Sequence, residues 1–208
     1  VLTWNQEVLV KKYVKEADEW QTVGDPTSLI QPWGEQISVT LALDSRDTPY
    51  VAYLGNIAQS PKLAVMRYNG GIWESVGSVN EMGSESSIAF DEEDTPYISY
   101  INDFTSNAHY VNVAKYQDGG WVKLDNFVVN SGSNTVIAVD PDNTPYLFYT
   151  FYSIGYPVRT SVVKYENQAP GAIPDSIFPV NGYRDAAFAL DPSGVPYMAY
   201  RSDSGSAA

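Results

Sequence analysis

The chain contains no cysteine, which excludes disulfides and thiolate metal sites and leaves stability to packing alone. Its single histidine, His109, cannot build a histidine-rich metal centre. Positive charge is scarce too: 12 Lys plus Arg stand against 25 Asp plus Glu, a formal net charge of -13 over 208 residues. A surface of that sign repels duplex nucleic acid and anionic membranes, so neither is an expected partner. No apolar run approaches the roughly 18 residues of a membrane span, so membrane insertion is not expected. No stretch keeps a helical period, no signal-peptide pattern is visible, and no G-x-S-x-G elbow marks a nucleophile.

What the chain does hold is apolar residues, at 44%, and tyrosine, with 16 Tyr against 7 Phe. That composition suits strands whose side chains are half buried with a polar tip in water. One stretch recurs: "DTPYVAY" (47–53), "DTPYISY" (94–100), "NTPYLFY" (143–149) and "GVPYMAY" (194–200). The prolines fall at Pro49, Pro96, Pro145 and Pro196, spaced by 47, 49 and 51 residues. Each follows a four-residue turn that begins with Asp and ends with Asp47, Asp94, Asn143 or Gly194. Those last residues tolerate a left-handed backbone, and the leading carboxylate can accept hydrogen bonds from the turn's own amides. Calcium is not needed to explain these aspartates, since Gly194 replaces one of them.

Short apolar strands precede each turn, with Ala42, Ala89, Ala138 or Ala189 two residues before the turn Asp. After the Pro-Tyr strand comes a third strand, as in "LAVMRY" (63–68), "VNVAKY" (111–116) and "TSVVKY" (160–165). A Gly-Gly turn, "NGG" or "DGG", then leads into a fourth strand at Trp73 or Trp121; Trp20 holds the same position, and all three are expected to be packing or blade-edge residues rather than a ligand cage. Four antiparallel strands in about 50 residues is the unit of a propeller. Residues 8–20 match strands three and four alone, and residues 186–200 match strands one and two alone. The expected fold is therefore all-β: a β-propeller of four four-stranded antiparallel blades, closed by pairing the N-terminal and C-terminal half blades. It spans 1–201 as one domain, with 202–208 a flexible tail or linker. A segment of a longer propeller is the other reading.

The pattern D-x-x-x-T-P-Y-x-x-Y followed by K/R-Y-x-G-G-x-W resembles repeats of large secreted bacterial propeller proteins. The likeness covers nearly the whole chain, although "YENQAPGAIPD" (165–175) lacks the Gly-Gly turn and the Trp. Hemopexin-type domains also close with four blades but commonly carry a disulfide, and the sialidase turn S-x-D-x-G-x-T-W does not occur here. The resemblance implies an extracellular or cell-surface module, either a monomer or part of a larger protein, and says little about function.

The connections 54–62, 101–110 and 150–159 and the inter-blade segments are variable and are expected to form loops on one face, where binding usually lives. Three of the five arginines, Arg159, Arg184 and Arg201, sit there, with Tyr152, Tyr156, Tyr183 and Asp203 close in sequence. Arginine forks match carboxylates and tyrosine offers stacking surface for a sugar, so an acidic glycan or peptide is the expected ligand. Against this, Asp185 and Asp203 are near enough to neutralise the arginines. Ser38, Glu85, Asn134 and Asp185 stand six residues before the turn aspartates and would ring the channel mouth. Such oxygens could hold one Ca2+ or another cation; otherwise no cofactor is expected. His109 could act as a base, and Glu85, Asp103, Asp185 or Asp203 could supply a carboxylate pair, but nothing singles out a pair. The favoured function is a non-catalytic binding module for a glycan or an extracellular protein; a structural spacer in an adhesin-like protein and an enzyme acting on acidic polysaccharide are the alternatives.

Overall fold

The computed structural model describes residues 7–34, 38–79, 82–105, 108–124, 129–130, 132–151, 158–166, 169–172, 178–179 and 186–200. For 103–105, 108–109, 129–130, 132–133, 169–172, 178–179 and 186 it describes the backbone. The chain begins with a hairpin of β1 (Lys11–Val14) and β2 (Glu19–Thr22), then a 3-10 turn at Pro26–Ser28. The first four-stranded antiparallel sheet, labelled blade 1 after its repeat unit, is β3 (Val39–Leu43), β4 (Pro49–Ile57), β5 (Ser60–Asn69) and β6 (Ile72–Val79), and the next two sheets are labelled in the same way. Blade 2 is β7 (Gly83–Phe90), β8 (Pro96–Thr105), β9 (Ala108–Gln117) and β10 (Gly120–Lys123), with β11 (Val129–Asn130) adding to β9. Blade 3 is β12 (Gly132–Val139), β13 (Pro145–Phe151), β14 (Arg159–Glu166) and β15 (Ala169–Ala172), with β16 (Phe178–Pro179) also on β14. A last hairpin joins β17 (Ala186–Leu190) to β18 (Pro196–Tyr200). Every pairing is antiparallel, and no α-helix occurs among the described residues.

The blades pack face to face because the strand period of two feeds two cores at once. On β8, Ile98 and Tyr100 turn toward blade 1, where they meet Tyr50, Ala52, Leu63 and Val65. Tyr97 and Ile101 of the same strand turn toward blade 3 and join Ile137, Leu147, Tyr149 and Val163. Each of the larger aliphatic side chains buried here, such as Ile98, Leu63 or Leu147, contributes about 1.5–3 kcal/mol. The recurring alanines are explained by register: Ala42 lies opposite Tyr50, Ala89 opposite Tyr97, Ala138 opposite Tyr146 and Ala189 opposite Tyr197. A small residue on the inner strand leaves room for the ring across from it.

The Asp turns form as the sequence predicts. Asp47, Asp94, Asn143 and Gly194 all have positive φ, between 60° and 83°. Asp44 Oδ1 accepts from the amides of Arg46 and Thr48 at 2.9 and 2.8 Å, and Asp91, Asp140 and Asp191 repeat the arrangement. Neighbouring turns are tied as well. Asp94 accepts from the amide and hydroxyl of Ser45, both at 2.8 Å, and Asn143 Oδ1 accepts from the Glu92 amide at 3.2 Å.

The connections within blades 1 and 2 differ from expectation. Segments 54–62 and 101–110 are not long loops: β4 and β5 pair as far as Ile57 and Ser60 around the two-residue turn Ala58–Gln59, and β8 and β9 pair as far as Thr105 and Ala108. Ala58 and Gln59 both adopt positive φ, 52° and 61°, the twist that continues a right-handed hairpin. The end hairpins also differ: β1–β2 and β17–β18 are two separate two-stranded sheets. Each follows its own neighbour. Val8 and Val10 bury against Val51, Tyr53 and Met66 of blade 1, while Phe188 stacks on Phe148 of blade 3 with centroids 5.9 Å apart. Val39, Leu41 and Leu43 on β3 are left exposed, as is Tyr197 on β18.

The turn carboxylates make stability acid-sensitive. The Ser45 amide and hydroxyl hold Asp94 below the usual carboxylate pKa, and the Ser193 hydroxyl with the Val195 amide does the same for Asp191. A depressed folded pKa gives stability that is complete above the unfolded value near about 4 and is lost as pH falls through the folded value. Thermal melts should therefore be level from pH 7 to about 5 and fall steeply below about 4. An Asp94→Asn variant should show a shallower fall, since the amide oxygen still accepts from Ser45, as Asn143 does from Glu92. Equal acid sensitivity in the two proteins would mean that Asp94 does not contribute.

Candidate functional site

The same register that pairs Ala with Tyr sets a cation beside each tyrosine. Tyr50 lies opposite Arg67, Tyr97 opposite Lys115 and Tyr146 opposite Lys164. In blade 2 the buried turn carboxylate completes a triad. Lys115 Nζ is 3.6 Å from Asp91 Oδ2 and 4.8 Å from the centroid of the Tyr97 ring. Burial raises the Tyr97 pKa, with Lys115 pulling against it. Burial disfavours the Lys115 charge, but the Tyr97 hydroxyl and Asp91 outweigh that effect and raise the lysine's pKa.

Tyr97 and Lys115 of this triad line one wall of a cleft of about 660 Å³ between blades 2 and 3, with Asp91 behind the lysine. Tyr97, Lys115 and Leu124 line it from blade 2; Asn143, Thr144, Pro145, Tyr165 and Glu166 line it from blade 3. Tyr165 and Leu124 are half-buried and Glu166 and Asn143 exposed, so aromatic surface and polar donors and acceptors face the same space. Glu166 Oε1 accepts from Lys164 Nζ at 2.7 Å. At the equivalent place between blades 1 and 2, Phe90 sets its ring edge-on against Tyr50 with centroids 4.9 Å apart. Blade 3 carries the smaller Val139 at the Phe90 position, packed on the blade 2–3 core.

The cleft opens beside an Asp turn, on the face opposite the variable connections. Of the residues expected to bind a ligand there, Arg159 begins β14 opposite Phe151 and Pro179 and is half-buried. Arg184, Arg201, Tyr152, Tyr156, Tyr183 and Asp203 lie outside the described residues. Of the channel-mouth ring, Ser38 is exposed just before β3, Glu85 sits with positive φ of 47° at a bulge in β7, and Asn134 pairs with Thr150 on β12; Asp185 lies outside the described residues. No group of three or more His, Cys, Asp or Glu able to hold a metal occurs among the described residues. The side chains of His109 and Asp103 are also outside the described set. Sequence reasoning missed Tyr97, Lys115, Tyr165 and Glu166. Their signal was the repeated Pro-Tyr and Lys/Arg-Tyr pairs, which read as architecture alone.

No family model matches the chain and no curated protein matches it. Solved structures do. A fucose lectin from Kordia zhangzhouensis, determined in complex with methyl-fucoside, aligns over 67% of this chain and 99% of its own at 10% identity, with a TM-score of 0.46. That score is too low to support an argument. A triple arginine-to-alanine variant of AofleA from Arthrobotrys oligospora aligns over 95% of this chain at 13% identity and a TM-score of 0.62. This chain spans 59% of that one. The likeness to the second protein is one of fold: successive antiparallel sheets arranged as in a known all-β architecture.

Proposed function

We propose that the chain is an extracellular, non-catalytic glycan-binding module, and that the cleft between blades 2 and 3 is its binding site. The observation that carries this reading is the lining of the cleft. Tyr165 supplies a flat apolar surface, while Lys115, Asn143, Thr144 and Glu166 supply donors and acceptors around it. Sugars present this same combination, an apolar ring face edged by hydroxyls. Catalysis is disfavoured by how the acids are used. Asp91 is tied to its turn amides and to Lys115, and Glu166 to Lys164, and no second carboxylate faces Glu166 across the cleft among the described residues.

The test is a glycan array followed by calorimetric titration of the strongest hit into wild type and Lys115→Ala. Loss of one charged hydrogen-bonding partner is worth roughly 1.5–3 kcal/mol, so affinity should fall about tenfold or more. Arrays without any bound glycan would overturn the reading; a hit that Lys115→Ala binds as tightly as wild type would place the site elsewhere.

A further inference from the structure

We infer that the cleft takes one neutral, hydroxyl-rich sugar ring per chain and discriminates against acidic sugars. This rests on the glycan-binding reading and reverses the expectation of an acidic ligand. The basis is charge accounting inside the cleft. Among the described residues the one cation lining it, Lys115, already faces Asp91 at 3.6 Å, a carboxylate whose side chain is 2% exposed. Lys164, the next cation, is held by Glu166 at 2.7 Å. Glu166 itself lines the cleft, in a chain of net charge -13. An anionic sugar would meet a carboxylate and no uncompensated cation, an arrangement that rejects it. A neutral sugar suffers no such penalty. An ammonium has three donors; Lys115 is paired with Asp91 at 3.6 Å and lies over the Tyr97 ring at 4.8 Å, which balances its charge yet leaves donors that can meet sugar hydroxyls, while Glu166 and Asn143 can accept from others.

One site per chain follows from how the other two boundaries are closed at their turns. Where β17–β18 meets blade 3, an added Cβ on Gly194 would come within 3.0 Å of Asp140 and 3.4 Å of Pro141. Between blades 1 and 2 the residue just before the turn aspartate is Phe90, whose ring lies against Tyr50. Arg46 also crosses there, 3.4 Å from Asp94 and 3.7 Å from Asp44. Between blades 2 and 3 the residue is the smaller Val139, which packs into the shared core and is not among the residues lining the cleft; Asn143 replaces Asp94, and the cleft is present.

The experiment is calorimetric titration of the methyl glycosides of glucose, galactose and mannose, with glucuronic acid and sialic acid as the charged set. Wild type should bind at least one neutral glycoside at one site per chain, about tenfold or more tighter than either acid. Tyr165→Ala, which removes the flat surface lining the cleft, should lose that binding while keeping its thermal transition. Should that variant fail to fold, Glu166→Lys reverses the charge of an exposed residue and should shift preference toward glucuronic acid. Tighter binding of an acid by wild type overturns the neutral assignment but leaves the glycan reading standing. Two sites per chain overturn the role of Phe90, and binding of no sugar at all overturns both.

Discussion

Replacing Tyr100 by alanine should unfold the chain under conditions where the wild type is intact. Tyr100 is fully buried at 0% exposure and sits in the core that blade 2 shares with blade 1. Its ring leaves little room around it: a Cβ added to Gly83 would come within 3.1 Å of Tyr100 Cδ2. Truncating a large aromatic in such a place costs about 3–5 kcal/mol, partly for lost transfer and partly for the cavity left behind. Total stability of a domain is about 5–15 kcal/mol, so the loss is a large share. Urea unfolding of Tyr100→Ala should show a clearly lower midpoint, whereas Tyr110→Ala, at a site 36% exposed, should move it little. Coincident curves for Tyr100→Ala and wild type would show that the two blades do not share this core.

The second large effect is expected at Asp91. Its Oδ1 accepts from the amides of Glu93 and Thr95 at 3.1 and 2.8 Å, and its Oδ2 faces Lys115. Asp91→Ala removes both functions at once. Leaving a buried donor without a partner costs about 1–3 kcal/mol; Thr95 is half-buried and Glu93 exposed, so water partly replaces the lost partners and the predicted loss is about 1–3 kcal/mol. Asp91→Asn separates the two functions, because an amide oxygen can still accept from the turn while the negative charge is gone. It should retain most of the stability and alter the cleft, where Lys115 would become an uncompensated cation. Denaturant unfolding of both variants provides the measurement. A loss under about 1 kcal/mol for Asp91→Ala would mean that the turn holds without its carboxylate.

Much of the blade architecture was legible before any coordinates, because each device announces itself locally. Asp at the head of a turn and Asp, Asn or Gly at its tail have one conformational use in common, and the structure shows it four times. The alternation of "PYISY" puts Tyr97 and Tyr100 on opposite faces, and they do serve opposite cores. The hairpin at Ala58–Gln59 was not legible. Neither residue favours a left-handed backbone, so the turn is imposed by the pairing of β4 and β5 on either side of it. The end hairpins misled for a related reason: repeat matching shows which strands are missing from a blade but not which strands will pair. The cleft was hidden by its own ingredients. Tyr97, Lys115 and Tyr165 belong to the repeat consensus, and the two boundaries differ at positions that also read as architecture: Phe90 against Val139, and Asp94 against Asn143.

The ties between successive turns give the blades addresses. The residue after each turn aspartate either offers an amide proton or does not. Ser45 and Glu92 offer one, and the facing residues, Asp94 and Asn143, carry oxygens to receive it. Pro141 offers none, and the residue facing it is Gly194, where even a Cβ would come within 3.0 Å of Asp140 and 3.4 Å of the proline ring. The repeats are thus alike in shape but not interchangeable in order. Moving the third blade next to the first would set Asn143 against Ser45 and remain compatible. Moving the second blade into the place of β17–β18 would press the Asp94 side chain into Pro141 with no proton to accept. Duplication can make such a chain longer, but after these substitutions its modules are fixed in sequence like words in a sentence.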